Sequence, residues 1–146
     1  MAHAIFVAEA RGRGLAVDTF SASTWSGFEG ETVADEARRT CDRHGTPLVQ
    51  VRSVHHSTVD VAGATRVFVM ATRHLESLRE ETKQPLDHVC LLGDFDPQQR
   101  GSEIADPIGH DSAAFDACYL QLRDCIRHYL DTTSDFSSGQ APDTMP

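Results

Sequence analysis

Apolar residues recur at helical spacing in four stretches of the chain and run almost without interruption in two shorter ones. In the first stretch, 1–13, Ile5, Phe6 and Ala8 are among the apolar positions, and Gly12 and Gly14 mark its end. No Ser, Thr, Asp or Asn stands before it to cap its first N–H groups, because Met1 sits directly on the run. LAVDTFSA (15–22) reads as a short strand, and STWSGFEG (23–30) as a loop rich in Ser and Gly. Residues 31–44 read as a second helix stopped by Gly45, and Asp60 to Ala64 as a short helical turn. RVFVM (66–70) and HVCLLGDF (88–95) have the continuous apolar character of buried parallel strands. Between them, 71–82 reads as a helix that Gln84-Pro85 ends. A long loop follows over 96–111. The last helix, 112–130, carries a one-faced stripe of Phe115, Cys118, Leu122, Cys125, Ile126 and Tyr129.

Helices alternating with strands predict an α/β domain with a small parallel sheet over residues 1–130. From Asp131 the chain turns polar, and 131–146 reads as a disordered tail. Ligands of such sheets bind beyond the C-terminal ends of the strands, so the loops there matter most. The longest of them holds Asp106-Pro107.

Composition narrows the classes. The chain has 146 residues, with 13 basic and 22 acidic side chains and a net charge of −9. That balance argues against nucleic acid as a partner, which needs clustered Lys and Arg. No apolar run is long enough to span a membrane and no signal-peptide pattern opens the chain, so a cytoplasmic location is expected. The four cysteines, Cys41, Cys90, Cys118 and Cys125, form no CxxC pair and read as buried thiols. His55-His56, and Cys125 with His128 and Cys118, do not give four ligands at recognised spacing, so no metal site is expected.

Several segments in order resemble the low molecular weight protein-tyrosine-phosphatases, with the related arsenate reductases and bacterial protein-arginine-phosphatases. MAHAIF resembles that family's first helix, the Ser21–Thr24 stretch its SAGT, and GETVADEARRTCDRHG its second helix. RVFVMATRHLESL resembles its third strand and the helix after it. VCLLGDFDP followed by ADPIG resembles its last strand and acid loop. The departures are Ser23 for the Gly of SAGT, Val51 for a His, and Thr65 for an Asp.

The resemblance implies a three-layer domain with strand order 2-1-3-4 and hydrolysis of phosphomonoesters through a cysteinyl-phosphate, without a cofactor. The substrate would be a phosphorylated protein or a small phosphomonoester. It assigns Asp106 as general acid and base. In the family a strand and a Cys-x5-Arg-Ser/Thr loop come before the first helix. None of the four cysteines has an Arg six positions on; Pro47, Asp96, Asp124 and Asp131 stand there instead. The expectation is therefore a chain inactive as printed, with the missing strand and loop lying upstream of Met1 or lost. Trp25 is a candidate wall of the substrate cleft. Ile108, where tyrosine-specific members often carry aromatic residues, points toward the arginine-phosphatase type. Arsenate reduction, and a non-catalytic remnant that binds a partner, remain as alternatives.

Overall fold

A computed structural model describes residues 1–82 and 85–136. Its regular elements are α1 (Ala2–Gly12), α2 (Asp35–Arg43), β1 (Val67–Val69), α3 (Thr72–Thr82), β2 (Val89–Leu91) and α4 (Ser112–Thr132). Short 3₁₀ turns occupy Ser26–Phe28, His56–Thr58 and Leu92–Phe95.

β1 and β2 pair in parallel, with Phe68 opposite Cys90. The alternation of side chains along β1 divides the core in two. Phe68 points into a cluster built on Ile5 of α1, Leu92, and Leu122, Ile126 and Tyr129 of α4. Val67 and Val69 point the other way, against Leu78 of α3, Val61 and Leu86. The sheet is thus covered by α1 and α4 on one face, with α2 packed on α4, and by α3 on the other, in three layers. Tyr129 is the hub of the larger cluster: its ring meets Phe68 at 4.7 Å and Phe95 at 5.1 Å, both edge to face.

The stripe on α4 packs as its spacing predicts, with Asp111 capping the helix through the Ala114 N–H at 3.0 Å. Five expectations need correction. The segment 15–22 is not a strand. Its extended chain reaches only an isolated parallel bridge from Ser23 to His55, because a strand exists only where a neighbour completes the ladder. Among the described residues no strand pairs with 15–22, whose Ser21 N–H and carbonyl are bonded by the Gln50 side chain, and Ser21 and Met70 line one depression. The second helix begins at Asp35 rather than at 31. Residues 31–33 instead pair antiparallel with 51–53, through Ser53 N–H to the Glu31 carbonyl at 2.9 Å and Val33 N–H to the Val51 carbonyl at 3.1 Å. The strand read over 88–95 ends at Leu91, and the chain coils into a 3₁₀ turn. Gly93 is required in that turn, since a Cβ there would run into the Ser102 carbonyl.

The turn at Asp60 is closed by its own carboxylate, which accepts the Gly63 N–H at 2.9 Å, and is not helical. Gln84 of the helix stop, and 137–146 of the polar tail, lie outside the described residues. The first residues assigned to that tail are structured. α4 runs to Thr132, and Asp135 accepts hydrogen bonds from the Arg66 guanidinium and the Tyr129 hydroxyl.

Candidate active site

Beyond the C-terminal end of β1, a depression of about 230 Å³ is lined by Met1, His3, Ser21, Arg73, His74 and Asp106, among others. Each arrives there for a local reason. Met1 is the N-cap residue of α1 and supplies no side-chain cap, and Met1, Ala2 and His3 put the N-terminus of that helix at this space. Arg73 and His74 lie in the first turn of α3, directly after β1. Asp106 comes on the loop after β2.

That loop is tied down at three points. The Gly101 N–H donates to the Gly93 carbonyl at 2.8 Å, and the Ile104 N–H to the Met70 carbonyl at 2.9 Å. The Thr72 N–H donates to Glu103 Oε1 at 2.7 Å. Asp106 Oδ1 accepts the Ile108 N–H at 3.0 Å, closing a turn over Pro107 and leaving the second carboxylate oxygen out of that bond.

The electrostatics are mixed. Burial and Arg73 hold the His74 pKa below its ordinary value, against the opposing pull of Glu103 and Asp106. Burial and the charge of the N-terminus lower that of His3, whose Nε2 bonds Thr19 Oγ1 at 2.8 Å. Chemically the depression offers helix N–H donors, an arginine and a carboxylate on a fixed loop. Those are groups that receive an anion and move a proton beside it.

The thiols have the opposite character. All four are free. Burial pushes every one of them up, Cys118 to about 11 and Cys125 to about 12. The Asp106 charge raises Cys118 further. A nucleophilic thiol needs the reverse shift.

A second and larger groove, about 540 Å³, adjoins the first through Met1, His3 and Ser21. Its walls include Ser23, Gly27, Arg52 and Ile108. Ile108 is 59% exposed on that wall, and Trp25 is 62% exposed with its indole packed on Gly27 at the rim. The two aliphatic and aromatic candidates are thus near one groove, while Asp106 faces the other. Reading the sequence missed Arg73, His74 and Glu103. Arg73 and His74 were marked only by their position one step past a buried strand, and Glu103 lies in an irregular loop whose path no periodicity reveals.

The family model for low molecular weight phosphotyrosine protein phosphatase matches residues 1–136. The chain belongs to that family. No curated protein matches it in sequence. Among solved structures it is similar in fold to the low molecular weight protein tyrosine phosphatase of T. tengcongensis, with 22% identity, a TM-score of 0.81, and 90% of this chain and 88% of that one covered. It is also similar to Vibrio vulnificus Wzb in complex with benzylphosphonate, at 14% identity and TM-score 0.78, with 90% and 88% covered. A YwlE mutant from Bacillus subtilis matches at 21% identity and TM-score 0.77, with 89% and 86% covered. The parallel sheet and layered helices are thus the family's α/β fold. No described helix is long and apolar enough to cross a membrane.

Proposed function

We propose that Asp106 is the general acid and base of phosphomonoester hydrolysis in this fold, and that no cysteine among the 146 residues is its nucleophile. The observation that carries this reading is the pair of opposites at the site. A carboxylate stands on a pinned loop beside the open N-terminus of α1, while all four thiols are held protonated by burial. In the family reaction a thiolate attacks phosphorus and the leaving atom, an ester oxygen or the guanidino nitrogen of phosphoarginine, takes its proton from the Asp. The resulting carboxylate then takes a proton from water as that water attacks the cysteinyl-phosphate and frees the thiolate. These residues supply the proton-transfer half. Taken alone they bind a phosphoester without turning it over, which is the second reading and follows from the same thiols.

The proposed substrate is a phosphorylated protein side chain. The pair after Asp106-Pro107 is Ile108-Gly109, and it offers no aromatic face for a phenol ring. YwlE, one of the structural neighbours, is an arginine phosphatase. Both favour phosphoarginine over phosphotyrosine.

The test joins an apolar strand and Cys-x5-Arg-Ser loop of the family ahead of Met1 and compares turnover on phosphoarginine and phosphotyrosine peptides. Preference for phosphoarginine, reversed toward phosphotyrosine by Ile108→Tyr, is the expected result. A tyrosine preference with Ile108 in place overturns the substrate assignment.

A further inference from the structure

Away from the depression, His55, His56 and Glu81 bring three ligand atoms within 4.8 Å of one another. We propose that this cluster is a site for one borderline divalent cation of the Zn²⁺ class, bound by the Nε2 atoms of both histidines and the Glu81 carboxylate. The proposal is independent of the hydrolytic reading above.

The sequence leaves the His55-His56 pair without a third ligand. Folding supplies it from the last turn of α3. Glu81 Oε2 lies 2.8 Å from His56 Nε2 and 4.0 Å from His55 Nε2, and the two imidazole rings sit 4.2 Å apart. The rings are held in place: His55 is 9% and His56 6% exposed, and both belong to a backbone stretch fixed by the 3₁₀ turn His56–Thr58.

A coordinating imidazole must be neutral, with its proton on the nitrogen away from the ion. Ser57 Oγ lies 2.9 Å from His55 Nδ1 and the Ser57 N–H donates to the same nitrogen at 3.4 Å, so ligation through Nε2 moves the ring proton to Nδ1, where Ser57 Oγ accepts it. Glu81 keeps 46% of its side chain exposed, which leaves a path for the ion and room for water at the open positions. Two imidazole nitrogens and one carboxylate favour the later first-row divalent metals over Mg²⁺ or Ca²⁺, which prefer oxygen alone.

The position gives occupancy a consequence. His55 pairs with Ser23 through the backbone, with the His56 N–H donating to the Ser23 carbonyl at 2.9 Å and the Ser23 N–H to the Val54 carbonyl at 2.8 Å. Ser23, Ser53 and Val54 all line the larger groove. An ion bound at the cluster would therefore clamp one wall of that groove to α3, in place of the single His56–Glu81 hydrogen bond.

The experiment titrates the untagged full chain with Zn²⁺, by calorimetry and by histidine-ring NMR. One ion per chain is expected, with the ring resonances of His55 and His56 alone, of the eight histidines, moving to the metal-bound pattern. Glu81→Gln should weaken binding by at least about tenfold, the scale seen when support of a metal site is lost. The ring resonances read the wild-type chain and need no variant to fold. Co²⁺ in place of Zn²⁺ should give visible bands without thiolate charge transfer. No binding, shifts at other histidines, a thiolate band, or a folded Glu81→Gln variant of unchanged affinity would each overturn the site.

Discussion

Glu103 Oε1 accepts the Thr72 N–H at 2.7 Å, so the loop that presents Asp106 is anchored to the first turn of α3 by a side chain three residues upstream of the acid. The bond does two things at once. It satisfies an N-terminal amide of α3 that has no partner within the helix, and it puts a negative charge at the positive end of that helix. The same bond draws the Glu103 pKa below its ordinary value.

Glu103→Ala is expected to free both ends of this tether. The unfolding midpoint should fall, and the Thr72 and Ile104 amides should exchange faster with solvent while those in α4 are unchanged. Glu103→Gln should retain most of the tether, since an amide oxygen still accepts the bond. Hydrogen exchange followed by NMR distinguishes the two variants.

The second anchor sits at the other end of the domain. The Arg66 guanidinium reaches both oxygens of Asp135, at 3.1 and 3.3 Å, and the Tyr129 hydroxyl donates to the same carboxylate at 2.8 Å. Arg66, then Tyr129, lowers the Asp135 pKa, while burial and then the bond to Asp135 push Tyr129 up to about 12. A carboxylate depressed in the folded state adds stability above its unfolded value, near 4, and loses it as pH falls through the folded value. Asp135→Asn should therefore cost about 1.5–3 kcal/mol at neutral pH, the range for hydrogen bonds to a charged group. The difference from wild type should shrink below pH 4. Denaturant titrations at pH 7 and pH 3 measure both.

How far the sequence carries can be judged element by element. The stripe on α4 and the apolar run of β1 were legible because burial by one neighbour leaves a local period. Residues 15–22 look like a strand for the same reason, yet a strand's hydrogen bonds are made by a distant partner that local pattern cannot reveal. The start of α2 failed too: Thr32 and Val33 are β-branched and favour extended backbone, and 31–33 pair with the distant 51–53. At the site, Asp106 was visible through its resemblance to a known loop. Glu103, His74 and the meeting of Glu81 with His55-His56 were not, since each depends on contacts between segments far apart in the chain.

The thiols give a third prediction. With Cys118 raised to about 11 and Cys125 to about 12, their thiolate fractions at pH 7 are of order 10⁻⁴ or less, against a few per cent for an ordinary cysteine. Iodoacetamide should modify neither in the folded chain at pH 7, and both after unfolding. Mass spectrometry of the alkylated peptides reads the outcome directly.

If Asp106 supplies the proton and the nucleophile is not among these residues, p-nitrophenyl phosphate turnover will show both. The purified 146-residue chain should show none. With a family strand and Cys-x5-Arg-Ser loop joined ahead of Met1, turnover should appear. Asp106→Asn should then slow it by about 10²–10⁴-fold with the fold kept, the usual contribution of a positioned acid. Turnover by the 146 residues alone that vanishes on replacing Cys41, Cys90, Cys118 or Cys125 would contradict the account. So would a joined enzyme indifferent to Asp106→Asn.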